Sequence, residues 1–218
     1  HMVPDIDRNE LTITVATSGA NQGKVKVSVP QLKRAQTGTS GELIKLKLAG
    51  YELWSPDNPK LYDLSIELTG ANGKVDKIKS YFGMRKIALG KDLNGITRIF
   101  LNNNPLFMYG PLDQGWWPDG LYTAPSDEAL QYDLEVTKKL GFNLVRKHVK
   151  VEPLRWYYHC DKMGLLVWQD MPNGGAHVRW PLDGAEIKRS AEESAQFDQE
   201  WTAIIRSLQN HPSIVAWV

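Results

Sequence analysis

The sequence predicts two architectures in series, β followed by α/β. The first is an immunoglobulin-like antiparallel β-sandwich. The second is an incomplete (β/α)8 TIM barrel of about four strands. Three observations carry this reading. From Leu11 to about Tyr81, apolar and polar residues alternate with a period of two. After about residue 100, short apolar runs alternate with helical stretches that have start and stop signals. Every tryptophan except Trp54 lies after residue 110, so aromatic chemistry is concentrated in the second part. The expected division is 3–90 for the sandwich and 91–218 for the half-barrel. His1-Met2 reads as an expression-tag remnant joined to an initiator Met and is set aside.

In the first part, Leu11–Val15, Val25–Val29, Leu46–Leu48 and Tyr62–Leu68 each alternate. Alternation puts one face of a strand toward a core and the other toward water. Turn residues separate the runs: Ser18-Gly19, Asn21-Gln22-Gly23, Gly38–Gly41, and Asn72-Gly73, which suits a hairpin. Short strands at this spacing imply a sandwich.

In the second part, Asn102–Asn104 forms a turn between the runs Ile96–Leu101 and Leu106–Tyr109. Ser126, with Asp127 and Glu128 behind it, starts a helix whose apolar face includes Leu130, Leu134 and Leu140, and Gly141 stops it. The run Phe142–Val145 is followed by a helix over about 153–163 that ends at Gly164. The run Leu165–Trp168 precedes Pro172 and Gly174-Gly175. A third helix spans about 191–209, and a fourth run begins at Ile214. Apolar strands alternating with helices mean a parallel sheet covered by helices. No G-x-G-x-x-G follows a strand, which removes the main signal for a dinucleotide fold. In a β/α barrel the chemistry sits at the C-terminal ends of the strands. Here those ends lead into Asp113 and Trp116-Trp117, into Arg146-Lys147-His148, and into Gln169-Asp170.

Composition narrows the partners. The 218 residues are 42% hydrophobic and 23% charged with a net charge of +1. That excludes a disordered chain and argues against nucleic acid as a partner. No apolar stretch reaches about 20 residues, so no membrane span is expected. Cys160, alone, can form neither an internal disulfide nor a cysteine-based zinc site, and reads as a small buried hydrophobe. His159 and His177 do not make an H-x-x-x-H pair. Neither a metal nor another cofactor is expected. The apolar run Ile214–Val218 stops without a turn, which leads us to expect that the chain is a piece of a longer one.

Several segments resemble glycoside hydrolase family 2. Trp54-Ser55-Pro56-Asp57-Asn58-Pro59-Lys60-Leu61-Tyr62 resembles its W-x-P-x-x-P-x-L-Y signature. Phe82-Gly83-Met84-Arg85 resembles the F-G-F-R that ends its central sandwich, and Phe100–Leu106 resembles its F-x-L-N-G-K-P entry to the barrel. Gly141–Arg146 resembles G-x-N-x-x-R, Cys160–Asp170 resembles C-D-x-x-G-x-x-V-x-x-D/E, and Asn210–Trp217 resembles N-H-P-S-I-x-x-W. The order and spacing hold over about residues 50–218. The resemblance implies the parent is a retaining exo-glycosidase, of the kind that includes β-galactosidases, β-glucuronidases and β-mannosidases. It also implies an extracytoplasmic setting. Retention needs two carboxylates about 5–5.5 Å apart. The family carries its acid/base Glu just past the N-H-P-S-I-x-x-W strand and its nucleophile much later, so neither position is expected in this chain. Tyr109–Pro118 departs from the G-x-N-x-H-like stretch of β-galactosidases, and Arg146-Lys147-His148 departs from their R-x-S-H. These departures leave the sugar open.

The expected substrate-binding residues are Arg146, His148, Asp170, Asp113, Trp116 and Trp117. An arginine fork can grip a sugar or a carboxylate. A histidine can donate to or accept from a hydroxyl. A carboxylate can accept from two vicinal hydroxyls, and indoles offer rigid stacking area. Each has a structural alternative: an ion pair for Arg146 and Asp170, a satisfied barrel histidine for His148, and packing for the tryptophans. Asp113 and Asp170 as a self-sufficient catalytic pair is disfavoured. For Trp168, Trp217, Trp156-Tyr157-Tyr158 and Asn210-His211 the structural reading is at least as good. The chain is expected to be catalytically silent alone. The competing reading is a non-catalytic carbohydrate-binding or scaffold protein. A half-barrel would expose the edges of its first and fourth strands, so self-association is expected.

Overall fold

The computed structural model describes residues 1–18, 23–70, 73–172 and 188–218. The turn residues Gly19, Asn21, Gln22 and Asn72, the pair Gly174-Gly175, and His177 lie outside the described residues. Among the described residues seven strands form the sandwich: β1 (Met2–Asp5), β2 (Glu10–Thr14), β3 (Lys24–Val29), β4 (Arg34–Thr39), β5 (Leu43–Lys47), β6 (Tyr62–Thr69) and β7 (Val75–Phe82). One sheet has the order β1-β2-β5 and the other β4-β3-β6-β7, and every pairing is antiparallel. Their inward residues, among them Leu11, Ile13, Val25, Val27, Ile44 and Leu64, form one buried cluster. This is the immunoglobulin-like sandwich that alternation predicts.

Two strands lacked an alternation signal. In β4 all but the last two residues are exposed, because it is an edge strand with no second partner among the described residues. The other is β1, and here the sequence reading needs correcting. Met2, which was set aside, is buried, pairs with Ile13, and donates its backbone N–H to Asn210 Oδ1 at 2.9 Å. The chain start therefore belongs to the fold.

An antiparallel connector follows: β8 (Ile87–Lys91), β9 (Thr97–Leu101) and β10 (Asn104–Pro105). The expected division at 90/91 falls inside β8. The α/β part then runs β11 (Leu112–Asp113), α1 (Asp127–Lys139), β12 (Leu144–Lys147), α2 (Leu154–Met163), β13 (Leu166–Gln169), α3 (Ala191–Leu208) and β14 (Ile214–Trp217). The four strands are parallel in chain order, as in one half of a β/α barrel.

The helix signals act as read. Ser126 Oγ accepts from Ala129 N–H and caps α1. Gly164 ends α2 in the left-handed conformation. A signal not read from the sequence is the capping box that Ser190 forms with Glu193 on α3. Two details differ. Leu140 is 68% exposed rather than part of the buried face, because it lies past the last helical turn. The first parallel strand is not Leu106–Tyr109. Phe107 and Tyr109 point outward, and regular pairing begins only at Leu112. Pro111 has no N–H to give to a ladder. At Gly110 the backbone lies so close to β12 that a Cβ would stand 1.7 Å from the Leu144 carbonyl oxygen.

The two parts meet along a seam made by the motif residues. Trp54 is fully buried against Leu144 and Leu166 at the N-terminal ends of the strands. Its Nε1 donates to the Asp161 carbonyl at 2.8 Å. The Asp161 carboxylate, 0% exposed, accepts from Tyr81 Oη, His211 Nδ1 and the Ser213 backbone N–H at 2.7, 2.6 and 2.9 Å. Arg85 donates to the carbonyls of Pro212 and Ile214. Lys138 reaches the carbonyls of Pro56 and Met163.

Replacing Trp54 by Ala should cost about 3–5 kcal/mol in denaturant unfolding, through lost burial and a cavity at the seam. Trp116→Ala, on an exposed side chain, should stay within about 0.5 kcal/mol. A second expectation concerns alkali. Burial, the Asp161 charge and the bond to Asp161 raise the Tyr81 phenol well above its ordinary value, and burial raises that of Tyr157. The folded state thus holds both protons where the unfolded chain releases them. Their contribution is intact below about pH 10 and is lost as pH rises beyond it. Tyr81→Phe should reduce the slope of unfolding free energy against pH above 10 by about one proton. An unchanged slope would refute the assignment.

Candidate functional site

Strand pairing sorts the residues at the C-terminal ends into two faces. Paired residues of a parallel sheet point to the same side, and neighbours alternate. Leu144 and Leu166 pack with Trp54 on the inner face, and Val145 and Val167 pack with the helices on the outer face. Arg146 pairs with Trp168 and also with Leu112, so these share the inner face. Lys147 pairs with Gln169 and with Asp113, which places these on the helix side.

On the inner face, Arg146 forms a two-pronged bond to Asp170, with Nε to Oδ1 at 2.9 Å and a terminal nitrogen to Oδ2 at 3.0 Å. The Asp170 side chain is 5% exposed and that of Arg146 is 37% exposed. The bond to Asp170 raises the pKa of the guanidinium further. His148 Nε2 lies 3.9 Å from Asp170 Oδ2, and its Nδ1 is 3.0 Å from the Gln114 amide nitrogen. Three of the six expected residues thus form one cluster. Trp168 is held beside them by a bond from its Nε1 to Met108 Sδ at 3.2 Å.

Asp113 is not part of that cluster. It is bound to Lys147 Nζ on the helix side. Lys147 also donates to Glu152 at 2.8 Å, and Lys150 meets the same Glu152 oxygen at 3.0 Å. Both lysines and Glu152 are almost wholly buried. Gln169, also buried, donates to the carbonyls of Lys150 and Asp170 and accepts from Tyr157 Oη. The sequence showed these residues next to site positions. It gave no sign that they are the outer, structural half of each pair.

This buried network shapes the loop after β11. Lys150 Nζ donates to the Gly115 carbonyl at 2.7 Å and sits 4.5 Å over the Tyr122 ring. Gly115 has φ +66°, and a Cβ there would stand 2.4 Å from a Glu152 oxygen, so the loop depends on glycine here. Two residues on, Trp117 pairs with Leu121 through backbone bonds and half-buries its ring. Its Nε1 is enclosed without a partner among the described residues. Trp116 remains 64% exposed, edge-on to Tyr122 at 5.0 Å between ring centres. Lys150, Glu152 and Tyr122 were missed by sequence reasoning, which had no motif for them.

The remaining residues of interest lie away from this cluster. His159 bonds Asp127 at 2.9 Å, and His211 bonds Asp161. Cys160 is buried, which pushes its thiol pKa up. Trp217 packs edge-on against Trp201. Among the described residues no group of three His, Cys, Asp or Glu could hold a metal, and no helix is long and apolar enough to cross a membrane.

The glycosyl hydrolases family 2 model matches residues 3–85, and the TIM barrel domain model of the same family matches residues 97–218. The chain belongs to glycosyl hydrolase family 2. Among curated family members, a β-galactosidase of Oenococcus oeni is 28% identical over 98% of this chain and 22% of its own length. A β-galactosidase of Enterobacter cloacae is 31% identical over 76% of this chain and 15% of its own length. The chain spans between 15% and 26% of the length of such relatives. A β-D-glucuronidase of Dictyoglomus thermophilum superposes with TM-score 0.79 at 17% identity over 99% of this chain and 36% of that one. A family 2 β-galacturonidase of Eisenbergiella tayi, bound to galacturonate, gives TM-score 0.75 at 24% identity over 100% and 39%. These superpositions establish the fold, a sandwich leading into part of a TIM barrel.

Arg146→Met would leave the buried Asp170 carboxylate without its fork. Breaking a buried pair costs about 3–5 kcal/mol, and partial exposure of Arg146 should reduce this to about 2 kcal/mol. Arg146→Met with Asp170→Leu should recover most of the loss. A double-mutant cycle with no coupling would show the pair to be incidental.

Proposed function

We propose that this chain supplies the substrate-positioning face of a retaining glycosidase that acts on β-linked terminal sugars, and that it does not hydrolyse them by itself. The observation that carries the reading is the inner-face cluster of Arg146, Asp170 and His148, with exposed Trp116 on the neighbouring loop. An arginine locked by two bonds is a fixed donor array, and a half-exposed one still faces a ligand. His148 and Asp170 offer partners for adjacent ring hydroxyls. Trp116 offers a flat apolar surface that suits a pyranose face.

Hydrolysis with retention needs a second carboxylate about 5–5.5 Å from the first, one to protonate the leaving group and one to attack. Asp170 is engaged by Arg146 at both oxygens, and Asp113 faces the helices instead. The two are therefore not a catalytic pair. The expected outcome is no turnover of nitrophenyl β-glycosides by this chain. A longer form carrying the rest of the barrel should be active, with the anomeric configuration retained in the product. Robust turnover by the present chain would sink the proposal. Saturable binding of sugars by the longer form, without turnover, would favour a non-catalytic carbohydrate-binding protein, to which exposed Trp116 also lends support.

Two corollaries complete the proposal. Among the described residues β11 and β14 each pair with one strand, so their free edges should drive self-association of the isolated chain. Light scattering at rising concentration should show it, and a clean monomer would count against it. The parent is proposed to work outside the cytoplasm, on the family resemblance. Its recovery in a cytoplasmic fraction would refute that.

A further inference from the structure

A second surface, remote from the inner face, has the chemistry of a ligand site. It follows the seam between β7 and α2, on the outer side of the parallel sheet. Two cavities of about 330 and 340 Å³ adjoin there and share Ser80, Tyr81 and Tyr158. The Tyr81 and Tyr158 rings meet edge-to-face at 5.4 Å and form the ridge between them.

The polar groups along this groove are poorly used by the protein itself. Lys162 lies 5.5 Å from the Tyr158 ring centre, and neither it nor Lys79 meets a carboxylate among the described residues. Tyr158 Oη and the Asn210 side-chain amide nitrogen have no hydrogen bond among them. His211 is anchored through Nδ1 by buried Asp161, while its Nε2 has no bond among the described residues and its ring lines the cavity. Arg155 is already bound to Asp127 and adds little charge. Asp63, the one carboxylate lining either cavity among the described residues, accepts from Gln31. The groove thus combines an aromatic ridge, free hydrogen-bonding groups and two unpaired ammonium groups. Aromatic faces and free polar groups suit sugar rings, and unpaired lysines suit a carboxylate or sulfate on them.

We infer that the seam binds an acidic oligosaccharide, held by Lys79, Lys162, Tyr158, Asn210 and His211, apart from the reacting sugar. The inference rests on the glycosidase reading only in taking a saccharide as the ligand. Engagement here would grip a polymeric substrate away from the barrel mouth and raise its local concentration.

The test is calorimetric titration of this chain with tetragalacturonate, cellotetraose and polyglutamate. Tetragalacturonate should bind, and more weakly at higher salt. Lys79→Gln with Lys162→Gln should weaken it about tenfold, since two partly exposed charge contacts of under 1 kcal/mol each are lost. The thermal midpoint should not change, because both lysines are exposed. Arg146→Met should leave this binding in place. Loss in Arg146→Met but not in the lysine double variant would move the ligand to the inner face and overturn the inference. Equal binding of cellotetraose would overturn the acidic requirement. Polyglutamate binding as tight as tetragalacturonate would overturn the saccharide, and no binding at millimolar concentration would overturn the site. Each result is independent of the nitrophenyl glycoside assay, so the two proposals fail separately.

Discussion

The buried carboxylate of Asp161 is the constraint on which the rest of the molecule depends. A charge with no exposure is tolerated only when paired and hydrogen-bonded. Its three donors come from two separate places: Tyr81 on the sandwich, and His211 with the Ser213 backbone N–H in the turn before β14. The carbonyl of the same residue takes the Trp54 indole. These bonds can all form only when the sandwich, α2 and β14 are in their native relation. The penalty for leaving the charge unpaired thus acts against every other arrangement of the two parts. Arg85 strengthens the lock by holding two carbonyls at the start of β14.

This lock explains what the conspicuous motifs do. Apart from Trp54, which packs on Leu144 and Leu166 at the N-terminal ends of the strands, the W-S-P-D-N-P, F-G-M-R, C-D and N-H-P-S segments lie away from the Arg146–Asp170 cluster. They build the seam and fix where each parallel strand begins. Strand starts set strand register, and register sets which side chains reach the inner face at the other end. Arg146 and Asp170 meet because β12 and β13 are held level, with Arg146 opposite Trp168. The chemistry at one end of the sheet therefore depends on packing at the other.

Legibility differed by residue for physical reasons. The sandwich and the helix boundaries rest on periodicity and capping, which are local, and these were readable. Arg146, His148 and Asp170 were readable as strand-end residues because strand ends are where a barrel presents its chemistry, but that the three meet was not. Asp113 was not correctly placed, since facing depends on register and a shift of one residue reverses it. β1 was hidden because its first residue carries no motif. The short strand β11 was hidden because Pro111 and the tight approach at Gly110 are tertiary facts. The buried Lys147, Lys150 and Glu152 look like ordinary surface charges in the sequence, and only their neighbours make them internal.

The sequence alone determined the succession of elements, since alternation, caps and turn residues act over a few positions. It also carried the family resemblance in the order of its motifs. Tertiary structure decided which charges are buried, which carboxylate faces the interior of the sheet, and how a groove of unpaired groups arises at the seam. Those outcomes come mostly from contacts between residues 24 to 129 positions apart, such as Arg146 with Asp170, Asp161 with His211 and Arg85 with Ile214. No local pattern encodes such contacts, because their energy exists only once the intervening chain has folded.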